Sequence, residues 1–417
     1  MDSHAPPAAH DAAHDAAYAE WISEARAVPI TRPLERLAAR LVVRSGELVG
    51  PCPVCGGRDR FAVSLRKGVF HCRGSGEGGD VIALTRYLEA CDFHTACAIL
   101  TGRNRPGREV GESTEARADR QAALAKRAAA LARVTEEARR TEARFRERER
   151  MRCWQLWRAA QPLPGTAAEA YLALRGLAAP PEAPLRCLPD HPLYAAGRAQ
   201  VAIVHRGPAL VAPIVRPING LFGRFAGLHI TWIDLAEPDG KARIRDPETG
   251  LLVPARKVRG SARGGRIPLV SVPEPEDLVI GEGIETVLSV WRAHAACGWA
   301  RRATAAYWAA YSLDNIGGPA VGTVPHPTER LRDSRGRERP RRVKGPVPDL
   351  ARPGLVLPET TRRVWLLGDG DSDRFTTEAA LLRAAARFHA ARPDLEVYVA
   401  WAPDGQDFND VLRRVAA

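Results

Sequence analysis

Leu278-Val279-Ile280-Gly281-Glu282-Gly283-Ile284-Glu285-Thr286 runs from an apolar stretch into an acid set between two glycines, then into a helical pattern. The apolar run predicts a strand over 278–281, and the pattern after it predicts a helix over Ile284–Ala296. Toward the C-terminus the same design repeats. A strand over 364–368 leads into Asp369-Gly370-Asp371-Ser372-Asp373, and a strand over Glu396–Trp401 is followed by Asp407-Phe408-Asn409-Asp410. With a further strand over 303–309 and a helix over 377–391, residues 276–417 read as an α/β unit with a parallel sheet. Chemistry in such sheets gathers on the loops at the carboxyl ends of the strands, where all three acidic clusters fall.

Acids two apart in extended backbone project to one side, so Asp369 and Asp371 are placed to share a metal ion. A lone acidic turn is usually only solvated. Three of them on turns of one α/β unit point to more than that. Joining nucleotides builds negative charge on the attacking hydroxyl and the leaving pyrophosphate, which Mg²⁺ or Mn²⁺ held by carboxylates neutralises. A carboxylate outside the metal pair manages the proton. The arrangement resembles the Toprim domain shared by primases, type IA and type II topoisomerases and some nucleases. That resemblance implies Glu282 as the acid/base glutamate and also a metal acid, Asp369 and Asp371 as the catalytic, metal-binding Asp-x-Asp, Asp407 and Asp410 as supporting metal acids, and Asp373 as an assisting metal acid.

One departure from that pattern is an Arg-rich insert over 330–344. It carries Arg330, Arg332, Arg335, Arg337, Arg339, Arg341, Arg342 and Lys344 against Asp333 and Glu338. Its composition implies a flexible loop, either gripping phosphate or simply solvated.

Upstream, 151–275 reads as a mixed α+β region. It has helical patterns over 154–160 and 167–175 and strand-like runs over 209–215, 227–233 and 267–272. Arg256, Lys257, Arg259, Arg263 and Arg266 lie among glycines, so a mobile backbone is expected to present them to template or nucleotide phosphates. Trp154 and Trp232 suit core packing better than base stacking. Residues 165–172, 227–232 and 257–261 resemble plasmid and phage primases similar to the alpha protein of satellite phages. The resemblance implies a basic primase subdomain that walls one side of the catalytic cleft.

Cys52-Pro53-Val54-Cys55 forms a knuckle able to set two thiolates on one ion, and Cys72 ends a second short strand (69–72) that follows a first over 60–63. Four ligands complete a structural zinc site. Ser75 stands where the fourth is expected, and serine is a poor ligand. His71 or water is then left for that place, with Cys91, His94 and Cys97 on the following helix as further candidates. The segment Cys52–Phe61, Val69–Gly74 and Gly76–Ile82 resembles the zinc-binding domain of bacterial DnaG-type primases. The family usually has cysteine at the place of Ser75 and often histidine at the place of Cys55. The resemblance implies Zn²⁺ on Cys52, Cys55 and Cys72 and a module that reads the single-stranded template.

A net charge of +12 over 417 residues favours an anionic partner, nucleic acid first. Residues 1–20 lack a basic start or apolar core and read as a disordered tail, 21–102 as the zinc module, and 103–150 as a charged helical linker. No apolar run reaches membrane-spanning length. Eight sparse cysteines fit a reducing cytoplasm better than a disulfide framework. The chain as a whole reads as a multidomain α/β and α+β protein: a zinc-ribbon-like β-hairpin module, a mixed α+β basic subdomain and a Toprim α/β parallel sheet. The expected activity is that of a DNA primase, making RNA primers from nucleoside triphosphates on single-stranded DNA. No Gly-x-x-x-x-Gly-Lys-Ser/Thr loop occurs, so a separate replicative helicase is the expected partner, and the likeness points to a mobile element. The competing readings are a Toprim nuclease and a non-catalytic factor that binds single-stranded DNA.

Overall fold

Alternation of buried and exposed residues along the cysteine-bearing segment produces a small antiparallel meander. In the computed structural model, which describes residues 8–35, 41–44, 47–107, 114–194, 202–218, 222–332 and 336–416, the chain divides into two compact units, Met1–Arg144 and Phe145–Ala417. The first unit opens with helix α1 (Ala8–Ala27). Five strands follow, β1 (Val42–Arg44), β2 (Glu47–Cys52), β3 (Gly56–Ser64), β4 (Val69–Cys72) and β5 (Gly78–Gly79), hydrogen-bonded in sequence order. Two helices complete it, α2 (Val81–Glu89) and α3 (Phe93–Thr101). Asp80 caps α2 by accepting the Ala83 N–H at 3.0 Å, and Asp92 caps α3 by accepting the Thr95 N–H at 2.7 Å. Phe61, Val63, Phe70 and Leu84 form the core between sheet and helices.

The tail expected over residues 1–20 is corrected in part. Ala8–Ala27 is helical, while residues 1–7 lie outside the described residues. Its alanines favour helix, and buried Trp21 anchors it, donating its indole N–H to Thr101 Oγ1 at 3.0 Å. The charged linker is a helix, α4 (Thr114–Ala159), with pairs such as Glu136 to Arg139 and Arg140 along it. It does not stop at residue 150. The helix expected over 154–160 is its last turns, and Cys153 is buried in the second unit's core.

In the second unit a five-stranded antiparallel sheet has the order β12-β9-β8-β7-β6, from β6 (Gln161–Pro162), β7 (Arg186–Tyr194), β8 (Ile203–Ile218), β9 (Phe222–Trp232) and β12 (Arg256–Gly260). Helix α5 (Ala167–Leu174) precedes β7, and β10 (Ile244–Arg245) and β11 (Leu252–Val253) form a separate ribbon. Trp232 is buried and Trp154 packs edge-on against Phe225.

A second sheet has the order β13-β15-β14-β18-β19, from β13 (Ile267–Val270), β14 (Asp277–Gly281), β15 (Ala305–Ala309), β18 (Arg363–Gly368) and β19 (Glu396–Trp401). Strands β15, β14, β18 and β19 are parallel, and β13 joins as an antiparallel edge. The sheet therefore begins at residue 267, ahead of the expected boundary at 276. Helices α6 (Ile284–Ala296), α8 (Arg374–Ala391) and α9 (Phe408–Ala416) alternate with the strands, and α7 (Leu313–Gly317) follows β15. Every residue of β14 is buried. Its side chains alternate between two cores, Val279 with Val287 and Tyr307 on one face, Leu278 and Ile280 with Leu366 and Leu381 on the other.

The Arg-rich insert is not a flexible loop. It is a hairpin of β16 (Thr323–Arg332) and β17 (Glu338–Lys344), with Arg335 outside the described residues. Among the described residues no helix is long and apolar enough to cross a membrane.

Candidate functional site

Ile280 of β14 pairs with Leu366 of β18, so the turns carrying Glu282 and Asp369 leave neighbouring strands at the same edge. Thr286, in the first turn of α6, ties the two turns together by donating its hydroxyl to Asp369 Oδ2 at 3.0 Å. The turn after β19 closes on the same place, with the Gly370 N–H donating to the Gln406 carbonyl at 2.9 Å. Only glycine fits there. A Cβ on Gly370 would stand 2.1 Å from the Pro403 carbonyl oxygen.

Burial raises the pKa of Glu282, with the charges of Asp314 and Asp371 adding to it and Arg256 opposing. Burial likewise lifts Asp369, and with Asp407 and Asp371 adding to it against the hydrogen bond from Thr286 the net is about 6. Among the described residues no cation forms an ion pair with Glu282, Asp369 or Asp371. Nor do these three acids close into a group as tight as the thiolates described below, whose ligand atoms all lie within 4.8 Å of one another.

The other three acids have different surroundings. Asp373 caps α8, accepting the Thr376 N–H at 3.2 Å, and turns to the hairpin, where Arg341 stands at 2.9 Å and His326 Nε2 at 3.0 Å. Although burial opposes it, the bonds from Thr376 and His326 hold Asp373 down to about 2. Asp407 and Asp410 cap each other across the start of α9, through Asp410 N–H to Asp407 Oδ1 at 2.7 Å and Asp407 N–H to Asp410 Oδ2 at 3.3 Å. Arg175 also lies 3.6 Å from Asp407.

His326, Glu329 and Asp373 bring one ligand atom each within 4.8 Å. His326 Nδ1 accepts the Glu329 N–H at 2.9 Å, so its proton sits on Nε2 and faces Asp373. That tautomer does not offer Nε2 to a metal, and Arg341 already bridges Glu329 and Asp373.

The basic platform is a strand rather than a mobile glycine-laced backbone, because residues 256–260 pair with β9 from Arg256↔Thr231 to Gly260↔Gly227. Exposed Arg256 acts electrostatically on Glu282, and Arg263 is exposed. Lys257 Nζ reaches the Tyr194 carbonyl at 3.5 Å, and Arg259 pairs with Glu149 at 2.8 Å. Arg266 is buried with its guanidinium 4.0 Å over the Trp308 ring, and burial lowers it to about 10. Glu282 instead opens on a cleft of about 350 Å³, walled by Asp314 and by Arg341, Arg342, Lys344 and Arg383.

In the first unit the Sγ atoms of Cys52, Cys55 and Cys72 gather within 4.8 Å, with Cys55 and Cys72 3.5 Å apart. The knuckle aims two backbone donors, Val54 N–H and Cys55 N–H, at Cys52 Sγ, each at 3.4 Å. Three thiolates on zinc, each at about 2.3 Å, would stand about 3.8 Å apart, so the group fits the ion. Burial raises the Cys72 thiol, but bonds from Ser75, Tyr87 and Gly74 outweigh it and bring Cys72 down to about 6. Burial and the two neighbouring sulphurs push Cys55 up to about 11. His71 is excluded as a ligand by strand alternation: it is exposed while Phe70 and Cys72 are buried. Cys97 lies in the core, and His94 bonds to the Tyr18 hydroxyl at 2.9 Å.

Residues 34–113 match the CHC2 zinc finger. The chain thus carries a zinc-finger module of this type, and its three gathered thiols suit zinc. Residues 147–269 match a domain of unknown function, DUF7146. No curated protein matches the chain. Among solved structures, it is similar to the zinc-binding and RNA polymerase domains of the Aquifex aeolicus primase, at 16% identity and TM-score 0.34 over 95% of this chain and 82% of that one. A DNA primase domain from Pseudomonas aeruginosa aligns at 12% identity and TM-score 0.33, covering 63% of this chain and 73% of that one. A DnaG primase catalytic domain bound to single-stranded DNA aligns at 15% identity and TM-score 0.30, covering 65% and 78%.

Sequence reasoning missed two residues. Tyr87 reaches the thiolate group from α2, its hydroxyl 3.1 Å from Cys52 Sγ. Glu285 is buried and paired with Lys241 at 3.2 Å, with the Tyr171 hydroxyl donating to it. Tyr87 lies on the helix that follows the finger, at a place no ligand spacing indicates.

Proposed function

We propose that this chain is a primase-type nucleotidyltransferase, with a Toprim catalytic unit that joins ribonucleoside triphosphates on a single-stranded DNA template. One observation carries the reading: Glu282, Asp369 and Asp371 lie on turns at one edge of a mainly parallel sheet, the pKa values of Glu282 and Asp369 raised by burial, and none of the three has an ion-pair partner among the described residues. Half-buried Glu282 and Asp369 and exposed Asp371, gathered without a cation, suit divalent ions. Asp369 and Asp371 would hold the ion, and Glu282, its pKa raised by burial, would take or return the proton of the attacking hydroxyl. Mg²⁺ or Mn²⁺ bound there supplies charge neutralisation at the attacking and leaving oxygens.

The cleft beside Glu282 supports the substrate class. Arg342, hydrogen-bonded to the Thr323 hydroxyl, and Lys344, paired with Asp314, line it beside the acid, and exposed Arg256 and Arg263 extend the positive surface a triphosphate requires. Asp373, Asp407 and Asp410 keep structural partners and fall outside the core of this proposal. The CHC2 module and the net charge of +12 support a nucleic-acid template.

The test is incorporation of labelled ribonucleotides on single-stranded DNA with Mg²⁺ or Mn²⁺. The wild-type chain should make short products, and Asp369→Ala should lose them by about 100-fold or more while still binding DNA. Cleavage of the template without synthesis would assign the chain to nuclease chemistry. Neither activity, with DNA binding intact, would leave a binding factor.

A further inference from the structure

The zinc reading of Cys52, Cys55 and Cys72 leaves one corner of a tetrahedron to account for. Two hydroxyls lie beside the thiols. Tyr87 Oη is 3.1 Å from Cys52 Sγ, and Ser75 Oγ is 2.9 Å from Tyr87 Oη. The Tyr87 ring lies against Phe70, with centroids 5.5 Å apart and planes 29° apart, so packing rather than chance sets the direction of the phenol. Phe70 in turn packs on Phe61 in the core of the module.

An oxygen ligand at about 2.0 Å from zinc would stand about 3.5 Å from each sulphur at about 2.3 Å. Tyr87 Oη is already slightly closer than that to Cys52 Sγ, and Cys55 and Cys72 Sγ, 3.5 Å apart, are slightly closer than the roughly 3.8 Å of two thiolates on zinc. Ser75, which cannot replace a thiolate, is instead placed to donate a hydrogen bond to that oxygen, and it also accepts the Glu77 N–H at 3.4 Å.

From this geometry we infer that Tyr87 is the fourth zinc ligand, binding as a phenolate through Oη, with Ser75 as the hydrogen-bond donor that supports it. The chain therefore replaces a fourth cysteine with a tyrosine from the next helix. On binding, the phenol proton leaves to solvent along with those of the thiols, and no electron is transferred.

The inference rests on the three thiolates holding zinc, and the experiment separates the two. The full-length protein is titrated with Zn²⁺ and with Co²⁺, alongside Tyr87→Phe, Ser75→Cys and the double variant. Zn²⁺ should produce the ultraviolet difference band of tyrosinate in the wild type and none in Tyr87→Phe. Tyr87→Phe should bind about tenfold or more weakly, with shifted cobalt d–d bands. Ser75→Cys should restore tight binding in the Tyr87→Phe background by supplying a fourth thiolate. Tight metal binding with no tyrosinate band and a cobalt spectrum unchanged in Tyr87→Phe overturns the tyrosine ligand but keeps the zinc site. Failure of the wild type to bind either ion overturns both. The tyrosinate band is read on the wild type alone, so the test survives a variant that does not fold.

Discussion

Two glutamates three residues apart in one motif have opposite fates. Glu282, just ahead of α6, opens on the cleft, whereas Glu285, in the first turn of α6, points into protein and meets Lys241 and Tyr171. Burial alone would raise Glu285, but Lys241 and the Tyr171 hydroxyl outweigh it and hold the carboxyl well below the usual glutamate range. Glu285→Ala leaves Lys241 half-buried without its partner and should cost about 3 kcal/mol, read as a lower thermal midpoint. Glu282→Ala removes an acid with no ion-pair partner and should change stability little. The sign with pH follows from the lowered carboxyl: the Glu285 contribution is complete above the unfolded glutamate value of about 4.3 and is lost as pH falls further. Wild-type protein should therefore lose more stability than Glu285→Gln between neutral and acid pH. The sequence marks Glu282 by its flanking glycines. It has no mark for Glu285, whose partners come from other elements far along the chain.

At the level of elements, the strands and helices around the acids were legible because apolar runs and glycine-flanked acids alternate at regular spacing. Ile284–Ala296 and Glu396–Trp401 appear as the pattern indicated. Where charge dominated composition, the reading failed for a physical reason. Arginines in the 330–344 insert suggested a loop, yet cross-strand pairing such as Arg332 with Glu338 and the contacts of Arg341 with Glu329 and Asp373 hold a hairpin. The same holds for 256–260, which reads as basic and glycine-laced but has β9 beside it. Because Arg341, His326 and Asp373 anchor the hairpin to the start of α8, Arg341→Ala should speed amide hydrogen exchange over Thr323–Lys344 and leave β14 and β18 protected. Unchanged exchange in the hairpin would contradict the anchoring role.

For the whole molecule, the order β13-β15-β14-β18-β19 converts three acidic turns, separated in sequence, into neighbours at one edge of a sheet. Alternation of strand and helix foretold the parallel strands. The antiparallel edge β13 was not foretold, since its residues read equally well as part of the preceding region. Tyr87 and Ser75 show the same limit in the other unit, where spacing locates three thiols but only the packing of α2 locates the phenol. On the proposed function Glu282, Asp369 and Asp371 await cations, whereas Asp373 is already neutralised by Arg341 of the hairpin. Titrating the full-length protein with Mn²⁺, followed by electron paramagnetic resonance, tests that separation directly. Wild type and Asp373→Asn should both bind Mn²⁺, and Asp369→Asn should bind it about tenfold or more weakly. Equal binding by wild type and Asp369→Asn, or loss confined to Asp373→Asn, would contradict it.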